Sequence, residues 1–188
     1  PILMINNIID LKKNEPDKYT LLIGNHDCHY IWDEYPESTR FSMMNYKNYH
    51  NIFSDNLELF NIAFVQDDTI FSHAGITDGW KKLCFPELST LELGKKLALT
   101  KLNDNCVEFG YLAAISFYRG GWSKAGSCEW ADIHEHYDYN GLTPIKYDCY
   151  QVFGHTKIKE PVIEDTWACL DCKKGFIVDT ITHEITEC

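Results

Sequence analysis

The sequence predicts a mixed α/β domain in which helices layer against sheet. Three observations lead there. Apolar residues first recur at helical spacing and then give way to a short strand-like run. A second long helical pattern is followed by several short strands. The 188 residues, 45% hydrophobic and 24% charged, suffice for one substantial core, and no repeat, low-complexity tract or linker divides residues 1–188.

In chain order, Ile5, Ile8, Ile9 and Leu11 form the apolar side of a helix over Ile2–Lys13, which Glu15-Pro16-Asp17 stops. Tyr19–Ile23 reads as a buried strand ending directly in Gly24-Asn25-His26-Asp27. Ser42–Phe60 reads as one helix with a broad apolar face that includes Met43, Met44 and Phe53. Ile62–Gln66 and Thr69–Ser72 flank Asp67-Asp68 as a hairpin. Leu91–Leu102 is helical, and the polar, glycine-rich Gly120–Gly126 is a loop. Gln151–Phe153 is a short strand, and from Trp167 to Thr186 strands alternate with turns.

Composition narrows the function. Seventeen basic residues against 28 acidic ones give a net charge of −11, which repels nucleic-acid backbones and anionic lipids. No apolar run is long enough to span a membrane. The opening Pro1-Ile2-Leu3-Met4 has neither a basic region nor a cleavage site, and the chain starts partway into a helix. The eight cysteines read as reduced thiols, which with the missing export signal predicts a cytoplasmic location. Cys169 and Cys172 form a lone CxxC without the second pair that a structural zinc site requires, so a structural role is expected.

The chemistry concentrates at three places where a short apolar strand delivers a histidine beside a glycine. They are Leu21–Asp27, Ile70–Gly75 and Val152–Thr156. Loops at strand ends converge over a rigid scaffold, and a neighbouring glycine lets backbone approach an ion or phosphate closely. Imidazole is the commonest protein ligand for transition metals, and an amide oxygen such as that of Asn25 can join it.

Gly24-Asn25-His26-Asp27, Ser72-His73-Ala74-Gly75 and Gly154-His155-Thr156 together resemble the last three motifs of the calcineurin-like metallophosphoesterases. The similarity is to the branch holding phosphoprotein phosphatases and bacterial diadenosine-tetraphosphatase-like enzymes. Tyr118-Arg119-Gly120-Gly121 through Glu129-Trp130-Ala131-Asp132 resembles bacterial and phage members. The resemblance implies two mixed β-sheets sandwiched between helices, and hydrolysis of phosphate mono- or diesters by a hydroxide bridging two divalent ions (Mn, Fe or Zn). It implies Asn25, His73 and His155 as ligands of the second metal, and His26 as general acid. Asp27 would hydrogen-bond His26, and Arg119 would clamp the phosphate; Arg40 is a second candidate arginine. The phosphorylated substrate could be a small molecule, a nucleotide or a phosphoprotein.

The family's opening D-x-H and G-D-x-x-D-R motifs are absent from these residues. The resemblance therefore implies the C-terminal part of a phosphoesterase, incomplete at its N-terminus. Neutral ligands without a bridging carboxylate predict at most one weakly held metal and weak or no activity in this chain alone. Two rivals stay open. One is a mononuclear zinc hydrolase using His73 and His155; the other is a non-catalytic scaffold. The aromatic, acidic stretch Cys128–Tyr150 would be a covering loop over the site or, in the scaffold reading, a docking surface. His134 and His136 within it are poor metal candidates.

Overall fold

A computed structural model describes residues 2–36, 39, 41–102 and 109–188. The architecture is mixed α/β. Helix α1 (Ile2–Asn14) leads to strand β1 (Leu21–Leu22), helix α2 (Asn25–Ile31) and helix α3 (Tyr46–Ser54). Strand β2 (Phe60–Asn61) pairs in parallel with β1. Strands β3 (Ala63–Gln66) and β4 (Thr69–Ser72) form the expected antiparallel hairpin, with Asp67 in its turn at φ +57°. Helices α4 (Asp78–Cys84), α5 (Thr90–Leu99) and α6 (Phe109–Leu112) follow, then β5 (Tyr150–Phe153), β6 (Val162–Ile163), β7 (Trp167–Cys169), β8 (Phe176–Val178) and β9 (Ile185–Glu187).

The principal sheet has five strands in the order β3-β4-β5-β7-β6. Its centre, β4-β5-β7, is parallel, and an antiparallel strand closes each edge. β8 and β9 form a separate hairpin. The parallel core explains the near-continuous burial of β4, β5 and β7, since a strand covered on both faces cannot alternate. Helix α5 begins with a capping box. Ser89 Oγ accepts from Glu92 N–H while the Glu92 carboxylate accepts from Ser89 N–H.

Three expectations need correction. The strand predicted over Tyr19–Ile23 is only Leu21–Leu22. The helix predicted over Ser42–Phe60 breaks into a short 3₁₀ turn (Met43–Asn45), α3, a second 3₁₀ turn (Leu57–Leu59) and β2. Asn56 donates from Nδ2 to the Ile52 carbonyl and ends α3; Met43 and Met44, predicted on an apolar face, are 72% and 92% exposed. Over its first part Cys128–Tyr150 is neither an exposed loop nor an exposed docking surface, although it does contact His155 and Arg119. Cys128, Glu129, Trp130, Ala131, Asp132 and Ile133 are all buried, and Cys128 and Trp130 belong to the main core with Ile23, Phe53 and Leu93. Trp130 and Tyr150 lie in the interior, whereas Tyr139 faces solvent. Among the described residues, no helix is long and apolar enough to cross a membrane. The seven described cysteines are free thiols.

Candidate functional site

The three glycine-histidine segments meet. β4 and β5 are neighbours in parallel, so they carry His73 and His155 out of the same sheet edge. The Gly154 N–H donates to the His73 carbonyl at 2.9 Å, which fixes the two turns together. The rings of His73 and His155 lie 4.9 Å apart. β1 delivers Asn25 from its own two-stranded sheet, and Asn25 Oδ1 sits 2.9 Å from His73 Nε2. Gly24 makes this approach possible: a Cβ there would lie 2.7 Å from the His73 ring.

His155 occupies a strained backbone. Its φ is +65°, and the Thr156 N–H donates back to the Gly154 carbonyl at 2.8 Å, closing a γ-turn around it. Such a conformation costs about 1–3 kcal/mol for a residue with a Cβ. The turn is braced from outside. The Cys169 thiol contacts the Gly154 and Thr156 carbonyls at 3.6 and 3.7 Å, which gives the first cysteine of the CxxC its structural role. His155 Nδ1 lies 2.9 Å from the Ala131 carbonyl and so carries the proton, leaving Nε2 as the lone-pair nitrogen. Trp130 meets the same ring edge-on at 6.2 Å.

Positive groups gather around these ligands. Arg119 Nε lies 3.0 Å from Asp132 Oδ2, and its Nη2 donates to Thr156 Oγ1 at 2.5 Å. Thr156 Oγ1 also accepts from Ile133 N–H. Burial, His155, His26 and Arg119 together depress His73 to about 3. Burial lowers His155 to about 4; Arg119 and His26 push the same way, against the Ala131 carbonyl and Asp132. Both imidazoles are therefore neutral near pH 7, the state in which a histidine binds a cation. Burial raises the Asp132 carboxyl, yet hydrogen bonds from His134 and the Arg119 charge outweigh it and hold it below its ordinary value.

The fit to a divalent ion can be judged from donor spacing. Two ligand atoms bound to one ion at about 2.1 Å and about 90° lie about 3 Å apart, close to the Asn25–His73 separation. Asn25 Oδ1 and His73 Nε2 thus have the spacing of two ligands on one ion, and the His155 ring lies beside that of His73. Asp171 lines the same groove as His73 and His155. Even so, no group of three or more His, Cys, Asp or Glu among the described residues is placed to hold a metal.

Asp27 Oδ2 accepts from the Gly24 N–H at 2.9 Å, a role at the helix start beyond the one the resemblance implied. At the third position of α2 the side chain folds back over the helix N-terminus and completes a capping box, so it serves the helix. Burial lifts it to about 6, against the Gly24 hydrogen bond. His26 itself is half-buried, within electrostatic range of His73 and His155, and edge-on to His29 at 6.4 Å. Arg40 lies outside the described residues.

Two buried residues near the site had no role assigned from sequence. Glu129 is fully buried, with no hydrogen-bond partner for either carboxylate oxygen; burial and the nearby Asp27 drive its pKa well up. His136 is buried against Phe153 and Trp167, its Nδ1 2.8 Å from Tyr147 Oη and its Nε2 3.3 Å from the Ala74 carbonyl. It props the turn after His73. Acid and histidine alike look like surface residues in sequence, and only three-dimensional packing buries them. No family model, curated protein or solved structure matches the chain.

Proposed function

We propose that this chain carries the second-metal ligands, the phosphate-clamping arginine and the proton-donor histidine of a calcineurin-like metallophosphoesterase that hydrolyses phosphate esters. One observation carries the reading: three segments far apart in sequence bring Asn25, His73 and His155 to one point, with Arg119 held beside them.

The residues divide the work. Arg119 offers a planar guanidinium to phosphoryl oxygens, with Asp132 and Thr156 fixing its orientation. His73, His155 and Asn25 are neutral donors for a divalent ion, which when bound supplies Lewis-acid polarisation and an acidified attacking water. His26 stands on the first turn of α2 and delivers a proton to the leaving oxygen. Asp27 stiffens that turn through its bond to Gly24. With no carboxylate among the three donors, the ion keeps its full charge, so this chain by itself holds it weakly and turns over slowly.

The test compares leaving groups. With manganese present, His26→Ala should lower turnover of phenyl phosphate by roughly 10²–10⁴-fold, the usual worth of general acid–base catalysis. p-Nitrophenyl phosphate, whose leaving group needs no proton, should lose far less. A loss under threefold on phenyl phosphate rejects the role of His26.

A further inference from the structure

The loop that carries Arg119 also holds three large rings out to solvent. Phe117 is 63% exposed, Tyr118 65% and Trp122 92%. The loop is stiff. The Ser123 N–H donates to the Ile115 carbonyl, Phe117 N–H to the Ser123 carbonyl, and Gly121 N–H to the Ser116 carbonyl. Gly121 packs so closely that a Cβ would lie 2.2 Å from the Ile115 oxygen. A rigid loop keeping aromatic rings in water marks a contact surface for something apolar.

One ring is wired to the anion-binding groups. Tyr118 stacks on His134 at 5.9 Å and 9°, so the two make a flat platform. His134 Nδ1 is 2.5 Å from Asp132 Oδ1, while the other oxygen of that carboxylate holds Arg119. Arg119 in turn bonds Thr156, the neighbour of His155. A single carboxylate therefore sets both the guanidinium that would grip a phosphate and the ring pair beside it.

We propose that Tyr118 and His134 form a stacking surface for an aromatic group on the phosphate ester held by Arg119. The inference rests on the phosphoester reading and adds its specificity: aromatic phosphates over purely polar ones. Stacking on such a platform is worth about a tenfold gain in affinity.

Calorimetric titration of the chain with inorganic phosphate and with 1-naphthylmethylphosphonate tests it without turnover. The phosphonate should bind about tenfold tighter than phosphate. Tyr118→Ala should erase that advantage and leave phosphate affinity unchanged, whereas Tyr118→Phe should keep it. Because Tyr118 is exposed, its loss does not open the core. Equal affinity for both anions in the unaltered chain, or a preference that survives Tyr118→Ala, overturns the stacking surface while leaving the phosphate site intact. Failure of both anions to bind overturns the phosphate site as well.

Discussion

At His155 the imidazole proposed as a metal ligand sits on a backbone that favours glycine. The residue holds φ at +65°, and Cys169 and the Ala131 carbonyl keep it there. Two variants separate the side chain from the strain. His155→Ala and His155→Gly both remove the imidazole, but only Ala keeps the Cβ that opposes this φ. The glycine variant should be more stable than the alanine variant by about 1 kcal/mol, read from urea midpoints. At Arg119 the geometry matters as much as the charge. Arg119→Lys keeps the charge but loses the planar fork, so phosphate affinity should fall about tenfold in calorimetric titration.

At the scale of elements, the site is made by three strand ends and their glycines. Gly24→Ala would press a methyl group to within 2.7 Å of the His73 ring and push that ring off Asn25. It should weaken manganese affinity by about tenfold although Gly24 is no ligand, as loss of a supporting contact commonly does. These strand ends were legible in sequence because each joins an apolar run directly to a glycine and a histidine, as in Val152-Phe153-Gly154-His155. The hairpin around Asp67 and Asp68 was legible for a similar local reason. Helix α2 was not, since its residues, Asn25 to Ile31, mix polar and aromatic types without a periodic face. The long predicted helix over Ser42–Phe60 failed where Asn56 bonds back to Ile52, a local competition that hydrophobic spacing does not register. The bond from the Gly24 N–H to Asp27 at the start of α2 was not legible, since the family resemblance assigned that carboxylate only to His26. Glu129 and the platform of Tyr118 on His134 depend on chain segments meeting in space, which spacing along the chain cannot show.

For the whole molecule, a net charge of −11 coexists with a site built from histidines and an arginine. Its buried titratable groups set the pH dependence. Burial holds His29, His136 and His155 near 4 and His73 near 3, so each takes up a proton when the chain unfolds below about pH 6.5. Their contribution to stability is lost as pH falls. Asp27 and Glu129 act oppositely, since their folded pKa values are raised and their contribution is lost as pH rises. Four groups outweigh two, so unfolding takes up protons on balance and stability falls as pH drops between 6 and 5. Urea midpoints should therefore drop from pH 7 to pH 5. Asp27→Asn combined with Glu129→Gln should steepen that drop.

The central claim is that Asn25, His73 and His155 form one cation site. Titrating the chain with Mn²⁺ while following its electron paramagnetic resonance tests it directly. The account predicts one saturable ion per chain, lost in Asn25→Ala, His73→Ala and His155→Ala and retained in His183→Ala, which alters an exposed ion pair with Asp68 far along the chain. Binding that never saturates, or that survives all three ligand substitutions, would contradict it.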